Sequence, residues 1–368
     1  MKIQIKKNLF VEALAYVQTL IDKRNTIPAF SHVKIETKET DSIQLQATTA
    51  DMFVKIQIPC EVKDKGMITL NAKNSFDIAK ILAADYVDIF SENVSTVILS
   101  SGAGKYQLVS LSPETFPELP RAQELHETVV QNKAFLDLIS RTFYCMSEDE
   151  TKYNLAGIYF KNMSDRLRIV ATDGHRLAYA NAEFSLKGVP SDGVIVPKKA
   201  IFEMRKVLQS ATTTESTLKL SGSMIGVDNT TTQMMSRLIE GSFPDYTQVI
   251  PQNFQREAKI NRMKFHNVLR RVSVISNDRN IVKLNFSNKL LTLSTEDQTI
   301  GSATEALEID YKGEALTIGF NAFYLLEAID SLKEEAIVFH LIDDLSPGIL
   351  KPLENSDSML AVVMPIRI

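Results

Sequence analysis

NKAFLDLISRTFYCM, residues 132–146, decides how the chain is read. Its apolar residues recur at helical spacing, and an aromatic, Phe135, stands near its start. Two other stretches match it. Residues 8–22 read NLFVEALAYVQTLID around Phe10, and residues 262–276 read RMKFHNVLRRVSVIS around Phe265. The three aromatics lie 125 and 130 residues apart. Self-similarity at a fixed period marks a repeated structural unit.

Working outward, each unit carries a second helical segment: LNAKNSFDIAKILA around Phe76, VPKKAIFEMRKVLQ around Phe202 and IGFNAFYLLEAIDSL around Phe323. Between the two helices lie runs with the alternation of half-buried strands. They read HVKIET, SIQLQAT and VKIQIPC in the first unit, GIYF, LRIVAT and LAYANAEF in the second, and VKLNFS and LLTLST in the third. Pro-rich runs, SLSPETFPELP and EGSFPDYTQVIP, close the first two units, since proline ends ladders and stiffens linkers. The expectation is an α+β chain of three repeated domains, 1–124, 125–251 and 252–368, each with two helices and antiparallel sheets. The element order also divides each unit into two half-units of strand, helix and three strands.

Composition places the chain among ordinary globular proteins, with 44% hydrophobic and 23% charged residues. Two cysteines, Cys60 and Cys145, make neither a disulfide framework nor a metal quartet and fit a reducing compartment. The N-terminus lacks the apolar run of a signal peptide, and no stretch reaches the length of a membrane span. A cytoplasmic protein with no membrane partner is expected.

A net charge of −4 argues against nucleic acid, yet the 41 basic residues are not evenly spread. Lys198 and Lys199 are followed seven residues later by Arg205 and Lys206, so each pair shares a helix face. Lys73 with Lys80 and Lys264 with Arg271 repeat the spacing, and Lys133 and Arg141 share a side of their helix. A solvated helix face accounts for any one of these. Four of six helices with such a stripe point to a basic helical surface that contacts phosphates without reading bases. The last helix breaks the pattern with Glu327 and Asp330.

ATDGHRLA, residues 171–178, supports two kinds of chemistry. Asp-Gly between strand-like runs signals a tight hairpin with positive φ at both central residues. Asp173, His175 and Arg176 within four positions also make a candidate catalytic or ligand-gripping cluster. A hydrolase reading lacks a GxSxG elbow. The five histidines are scattered without ligand spacing, so no metal or cofactor is expected. GAGK, residues 102–105, has Leu99 and Tyr106 where a phosphate loop needs Gly and Ser or Thr, and reads as a hairpin turn.

With these motifs in hand the chain resembles the bacterial sliding clamps, the β subunits of DNA polymerase III, over its whole length. ATDGHRLA, VIVPKK from Val194, GSFPDY from Gly241, IGFN from Ile318 and the ending VVMPIRI carry the resemblance. It implies a DNA-clamp fold and a head-to-tail homodimer ring around duplex DNA. It also implies a processivity factor, not an enzyme, that tethers the replicative polymerase, the clamp loader, other polymerases and repair proteins through Q-L-x-L-F peptides. The implied peptide groove uses Leu155, Thr172, Gly174, His175, Arg176 and Leu177, with Pro244 and Val249 from the linker. Asn321, Tyr324, Val362, Val363, Met364, Pro365 and Arg367 complete it. The positions implied for DNA are Arg24, Lys152, Tyr153, Lys198 and Lys199, which join Arg205 and Lys206 of the stripe. At the subunit interface Lys73, Lys105 and Tyr106 of one copy should meet Val274, Ile275 and Glu305 of the other. After PDY the family often carries Arg, where Thr247 and Gln248 stand here, so peptide preference is expected to differ. The alternatives are a monomeric peptide-binding adaptor of the same fold and an enzyme using Asp173 and His175.

Overall fold

The computed structural model describes residues 1–21, 27–118, 124–149, 151–276 and 280–368. Arg24 lies outside them. The half-unit order read from the sequence recurs six times among the described residues. The first repeat holds β1 (Lys2–Lys6), α1 (Lys7–Gln18), β2 (His32–Lys38), β3 (Ser42–Thr48) and β4 (Met52–Pro59). After a short extra strand, β5 (Glu61–Asp64), come β6 (Met67–Asn71), α2 (Ala72–Ile81), β7 (Tyr86–Asn93), β8 (Thr96–Ser101) and β9 (Gly104–Val109). The second repeat holds β10 (His126–Gln131), α3 (Asn132–Ser140), β11 (Gly157–Met163), β12 (Arg166–Thr172) and β13 (Arg176–Ala182). It continues with β14 (Val194–Pro197), α4 (Lys198–Gln209), β15 (Glu215–Leu220), β16 (Met224–Asp228) and β17 (Thr232–Arg237). The third holds β18 (Arg256–Asn261), α5 (Arg262–Val272), β19 (Ile281–Ser287), β20 (Leu290–Asp297) and β21 (Gly301–Glu308). A short β22 (Asp310–Lys312) precedes β23 (Leu316–Asn321), α6 (Ala322–Ser331), β24 (Ala336–Leu341), β25 (Gly348–Pro352) and β26 (Met359–Val363).

Each helix starts directly where a strand ends. Asn71, Asn261 and Asn321 cap α2, α5 and α6 by accepting from backbone N–H groups of the first turn, which relieves donors that a helix start leaves unpaired. Within a repeat the strands exchange. The lone strand before each helix joins the three strands of the other half-unit, as β1 joins β7–β8–β9 and β6 joins β2–β3–β4. All pairings are antiparallel.

The chain folds as two compact units, and the middle repeat contributes to both. Residues 1–132 and 202–237 form one, and residues 133–201 and 238–368 form the other. The first unit holds a five-stranded sheet, β5-β1-β7-β8-β9, and an eight-stranded sheet, β10-β15-β16-β17-β4-β3-β2-β6. In the latter, β17 pairs with β4 across the repeat boundary. The second unit holds a nine-stranded sheet, β14-β11-β12-β13-β26-β25-β24-β18-β22, and a four-stranded one, β21-β20-β19-β23. Here β13 pairs with β26 across the other boundary. Among the described residues two sheets end on three-strand groups with no such partner, at β9 and at β21.

The first-helix aromatics Phe10, Phe135 and Phe265 are all fully buried. The second-helix aromatics are not: Phe202 and Phe323 are exposed, and Phe76 lies half-buried under Lys80. In α2 the small residues Ala72, Ser75 and Ala79 face the core, which turns the aromatic outward. Both cysteines are free thiols, and burial pushes Cys60 up to about 11 and Cys145 higher still. Among the described residues no helix is long and apolar enough to cross a membrane.

A candidate peptide groove and its neighbours

The ATDGHRLA stretch is the β12–β13 hairpin, but its turn is centred one residue later than Asp-Gly. The register pairs Thr172 with Leu177, and Asp173 N–H donates to Arg176 O. Gly174 and His175 are therefore the central residues. Gly174 alone has positive φ, at +93°, which suits glycine at the first central position of a hairpin turn. Asp173 serves as the clamp of the turn. Its Oδ1 accepts from the N–H groups of His175 and Arg176, at 2.8 and 3.0 Å, and its Oδ2 accepts from Arg176 Nε.

Arg176 ties this turn to α6. Its guanidinium lies between the Tyr324 ring, 4.4 Å from the centroid, and the Tyr144 ring, at 5.3 Å, and it donates to Glu327. Burial opposes the charge, yet the hydrogen bond to Glu327, with Cys145 and Asp173 beside it, holds the pKa above the ordinary guanidinium value. The ring of His175 stacks towards Tyr324 at 6.4 Å. These contacts give His175 and Arg176 positional roles.

The β13–β26 seam forms the floor. Leu177 pairs with Val362, and Arg176 pairs with Val363. Successive strand residues point to opposite faces. Leu177 and Val362 thus join an apolar cluster with Tyr159, Val170, Tyr179, Tyr246 and Leu360. Val363 points the other way, into the core with Leu350, Met359 and Ala361. Val362 and Val363 are both buried, and strand parity places them on opposite faces of the sheet, Val362 on the side of the linker and Val363 in the core. Beyond β26 the tail stays attached through Met364 N–H to His175 O, 2.9 Å, and Ile366 N–H to Gly319 O, 2.8 Å. This sets Met364, exposed, and Pro365, half-buried, beside the turn, with Arg367 exposed.

The linker after β17 lies over the same sheet face. Phe243 stacks on Tyr159 with centroids 4.8 Å apart, and Tyr246 meets that ring edge-on. Pro244 and Val249 stay exposed. Asp245 caps the short helical turn Tyr246–Val249, and its carboxylate accepts from Thr247 and Gln248. Those hydrogen bonds, Thr247 first, hold its carboxyl below the usual range. The positions that lack the family's Arg are thus a self-capped turn. Leu155, Asn321 and Tyr324 are half-buried at the ends of their elements. All the implied groove residues belong to the second unit.

The basic residues divide into two groups. Lys152 and Tyr153 are exposed, Tyr153 at 61%. Lys198 bonds Glu148 of the acidic run at 2.8 Å, which lowers the Glu148 pKa. Lys199 is exposed one residue on. Lys206 is engaged within the protein. Its Nζ lies 2.7 Å from Glu203, whose side chain is only 3% exposed, and 2.8 Å from Thr19 Oγ1 on the α1 side. It neutralises a buried carboxylate inside the first unit, and Arg205 beside it is half-buried. Arg141, expected to share the stripe with Lys133, lies past the end of α3 and is bonded to Asp137 and Glu334. Lys206→Met leaves Glu203 without its partner, and we expect it to lower unfolding free energy by about 2 kcal/mol in urea denaturation. Unchanged stability with weakened DNA retention would assign Lys206 to phosphate and not to Glu203.

The implied interface residues sit at the two open edges. Lys105 and Tyr106 lie on β9, and Lys73, beside Asp77, is on α2. Glu305 lies on β21, where Arg271 holds it with two hydrogen bonds of 2.8 and 2.6 Å. Val274 and Ile275 follow α5, Val274 at 74% exposure.

Comparison with known proteins agrees with this fold. Three profiles of the DNA polymerase III beta subunit match in order: the N-terminal domain over residues 1–120, the central domain over 129–245 and the C-terminal domain over 247–367. The beta sliding clamp of Caulobacter vibrioides is 31% identical over 376 residues, with both chains covered in full. That of Chlamydia trachomatis is 27% identical over 369 residues, covering all of this chain and 87% of the relative. The crystal structure of the Bartonella birtlesii sliding clamp, bound to griselimycin, superposes with a TM-score of 0.92 at 34% identity and full coverage of both chains. The Bacillus subtilis clamp gives 0.92 at 27% identity, covering 100% of this chain and 99% of that one. Three repeats of paired helices and exchanged antiparallel strands define a sliding clamp, a class of processivity factors. The chain belongs to the DNA polymerase III beta subunit family.

Proposed function

We propose that two copies close head to tail into a ring around duplex DNA. The observation that carries this is the pair of open sheet edges. β4 pairs with β17, and β13 with β26, so each first-half group joins a second-half group of the next repeat. The groups ending in β21 and β9 are the remaining first-half and second-half groups. β21 of one copy and β9 of another complete the same pattern twice, and a heterologous contact that closes after two subunits makes a ring. In this reading Lys105 and Tyr106 meet Val274, Ile275 and Glu305 across each seam, with Lys73 nearby.

The groove in the second unit takes the partners. Leu177 and Val362 supply apolar floor for Leu and Phe side chains, and the rim of His175, Arg176, Asn321 and Tyr324 orients the peptide. Polymerases, the clamp loader and repair proteins would dock there by Q-L-x-L-F segments. The three domains are assigned to 1–124, 125–251 and 252–368.

Lys152, Tyr153, Lys198 and Lys199 are assigned to the DNA-facing surface. The test is retention on nicked circular DNA, with linear DNA as the control, since only a closed ring is lost by sliding off an end. Replacing Lys198 and Lys199 with Glu should shorten retention on circles at least roughly ten-fold at about 0.1 M salt without changing peptide affinity. Unchanged retention would remove these lysines from the DNA path.

A further inference from the structure

The face that floors the groove does not end at the apolar cluster. Along β12, Thr172, Val170 and Arg168 share one face, and along β11 so do Tyr159, Lys161 and Met163. Lys161 and Arg168 are direct cross-strand partners. Like charges placed opposite each other destabilise a sheet, so such a pair needs a compensating group. Among the described residues neither side chain has a carboxylate within ion-pair distance. Together they line a cavity of about 380 Å³, walled by Tyr159, Phe243 and Tyr246 of the cluster beneath the linker.

Arg168 is fixed before any ligand arrives. Its guanidinium carbon lies 4.2 Å from the Tyr179 ring centroid, and its Nε donates to Asn181 at 2.9 Å. That leaves the terminal nitrogens, the fork that suits a carboxylate. Two carboxylates also line the cavity. Asp245 is held by Thr247 and Gln248 and feels the Lys161 charge from beyond ion-pair distance, and Asp192 is exposed, with its backbone oxygen accepting from Tyr159. The cavity is continuous with the groove, because Pro244 belongs to both and Tyr159 packs in the same cluster as Leu177 and Val362. Arg168 is four residues from Thr172 along β12, about 13 Å at the rise of a strand. An extended peptide covers that distance in about four residues.

We propose that this cavity is an anion subsite of the groove, which takes an acidic side chain carried about four residues beyond the core motif of the partner peptide. The inference rests on the groove reading and adds a specificity determinant to it. Lys161 and Arg168 select partners by what flanks the motif, and they supply the cationic contact that Thr247 and Gln248 do not.

The test uses fluorescein-labelled Gln-Leu-Asp-Leu-Phe peptides and the full-length protein. The core is extended at either end through a four-residue Gly-Ser spacer to Asp-Asp, Asn-Asn or Lys-Lys, and binding is read by anisotropy. At one end the Asp-Asp peptide should bind about five-fold tighter than the Asn-Asn peptide near 50 mM salt, and the advantage should fade at high salt. Lys161→Glu should bring the ratio of the two affinities to about one, and adding Arg168→Glu should reverse the order so that Lys-Lys binds best. Among the described residues the Lys161 side chain makes no hydrogen bond, so its variant reads the charge alone. Equal affinities for the Asp-Asp and Asn-Asn peptides at both ends would overturn the subsite while leaving the groove intact. Failure of the unextended core peptide to bind would sink the groove reading and the subsite with it.

Discussion

Replacing Gln107 with proline is expected to convert the proposed dimer into monomers while leaving each monomer folded. Ser110 N–H donates to Ser95 O at 2.9 Å, so the Ser110 donor faces β8. Donors alternate along a strand, which turns the N–H groups of Tyr106 and Leu108 towards β8 and that of Gln107 towards the open edge. Proline at Gln107 keeps the β8 ladder, removes an outward donor and puts a ring where a partner strand must approach. Losing that donor costs about 1.5 kcal/mol at each of two seams, about 3 kcal/mol for the dimer, or more than a hundred-fold in dissociation constant. Sedimentation equilibrium should show the mass fall from near twice 41.2 kDa to 41.2 kDa. Retention on circular DNA should fall to that of a protein that cannot encircle it. A Gln107→Pro protein that stays dimeric at nanomolar concentration would mean that β9 is not the seam.

The reason such a point can be tested at one residue is that the sheet edges, unlike the repeats, are invisible to local pattern. Periodicity shows that residues 166–172 and 176–182 are strands, because apolar and polar residues alternate within each. It does not show that Arg176 pairs with Val363, or that Ser236 pairs with Met52, since register between strands that distant depends on which faces finally meet. The two compact units follow from those pairings and cut across the repeat, so no composition shift marks them. The same limit explains the single-residue differences. Lys206 reads as a solvated base on its own helix, and only the approach of Thr19 and the burial of Glu203 give it another task. Val362 and Val363 look alike in the sequence, and strand parity separates them. Asp-Gly is a sound turn signal at residues 173–174, but the side chain of Asp173 closes the turn so effectively that the centre moves to Gly174 and His175. The residues of the proposed groove were all named from the sequence. Its residues cluster in short runs, 172–177 and 362–367, because a hairpin turn and a strand end present neighbours together. Lys161 and Arg168 carried no such signal. They are unremarkable singly, and become a pair only through the β11–β12 register.

Removing Met364–Ile368 is expected to abolish peptide binding, by more than a hundred-fold, without disturbing the dimer. Met364, Arg367 and Ile368 are exposed, and β26 ends at Val363, so the deletion takes no residue from the nine-stranded sheet. What it removes is one wall of the groove and the two backbone hydrogen bonds that hold this wall, Met364 to His175 and Ile366 to Gly319. The first of these also braces the turn at His175, so wall and rim are lost together. Gly319→Ala tests the same geometry without shortening the chain. A Cβ at Gly319 would stand 2.7 Å from Ile366 O and 2.4 Å from the Ile368 side chain, which forces the tail away from β23. Peptide affinity should then drop part of the way, about ten-fold, because the tail keeps its tether at His175. Sedimentation should report an unchanged dimer for both variants, since neither touches β9 or β21. If the truncated protein binds a Gln-Leu-Asp-Leu-Phe peptide as tightly as the full chain, the tail is not part of the site and the floor of Leu177 and Val362 must serve another purpose. A graded loss, with the deletion below Gly319→Ala and Gly319→Ala below the unaltered chain, is the order that a wall held at two points requires.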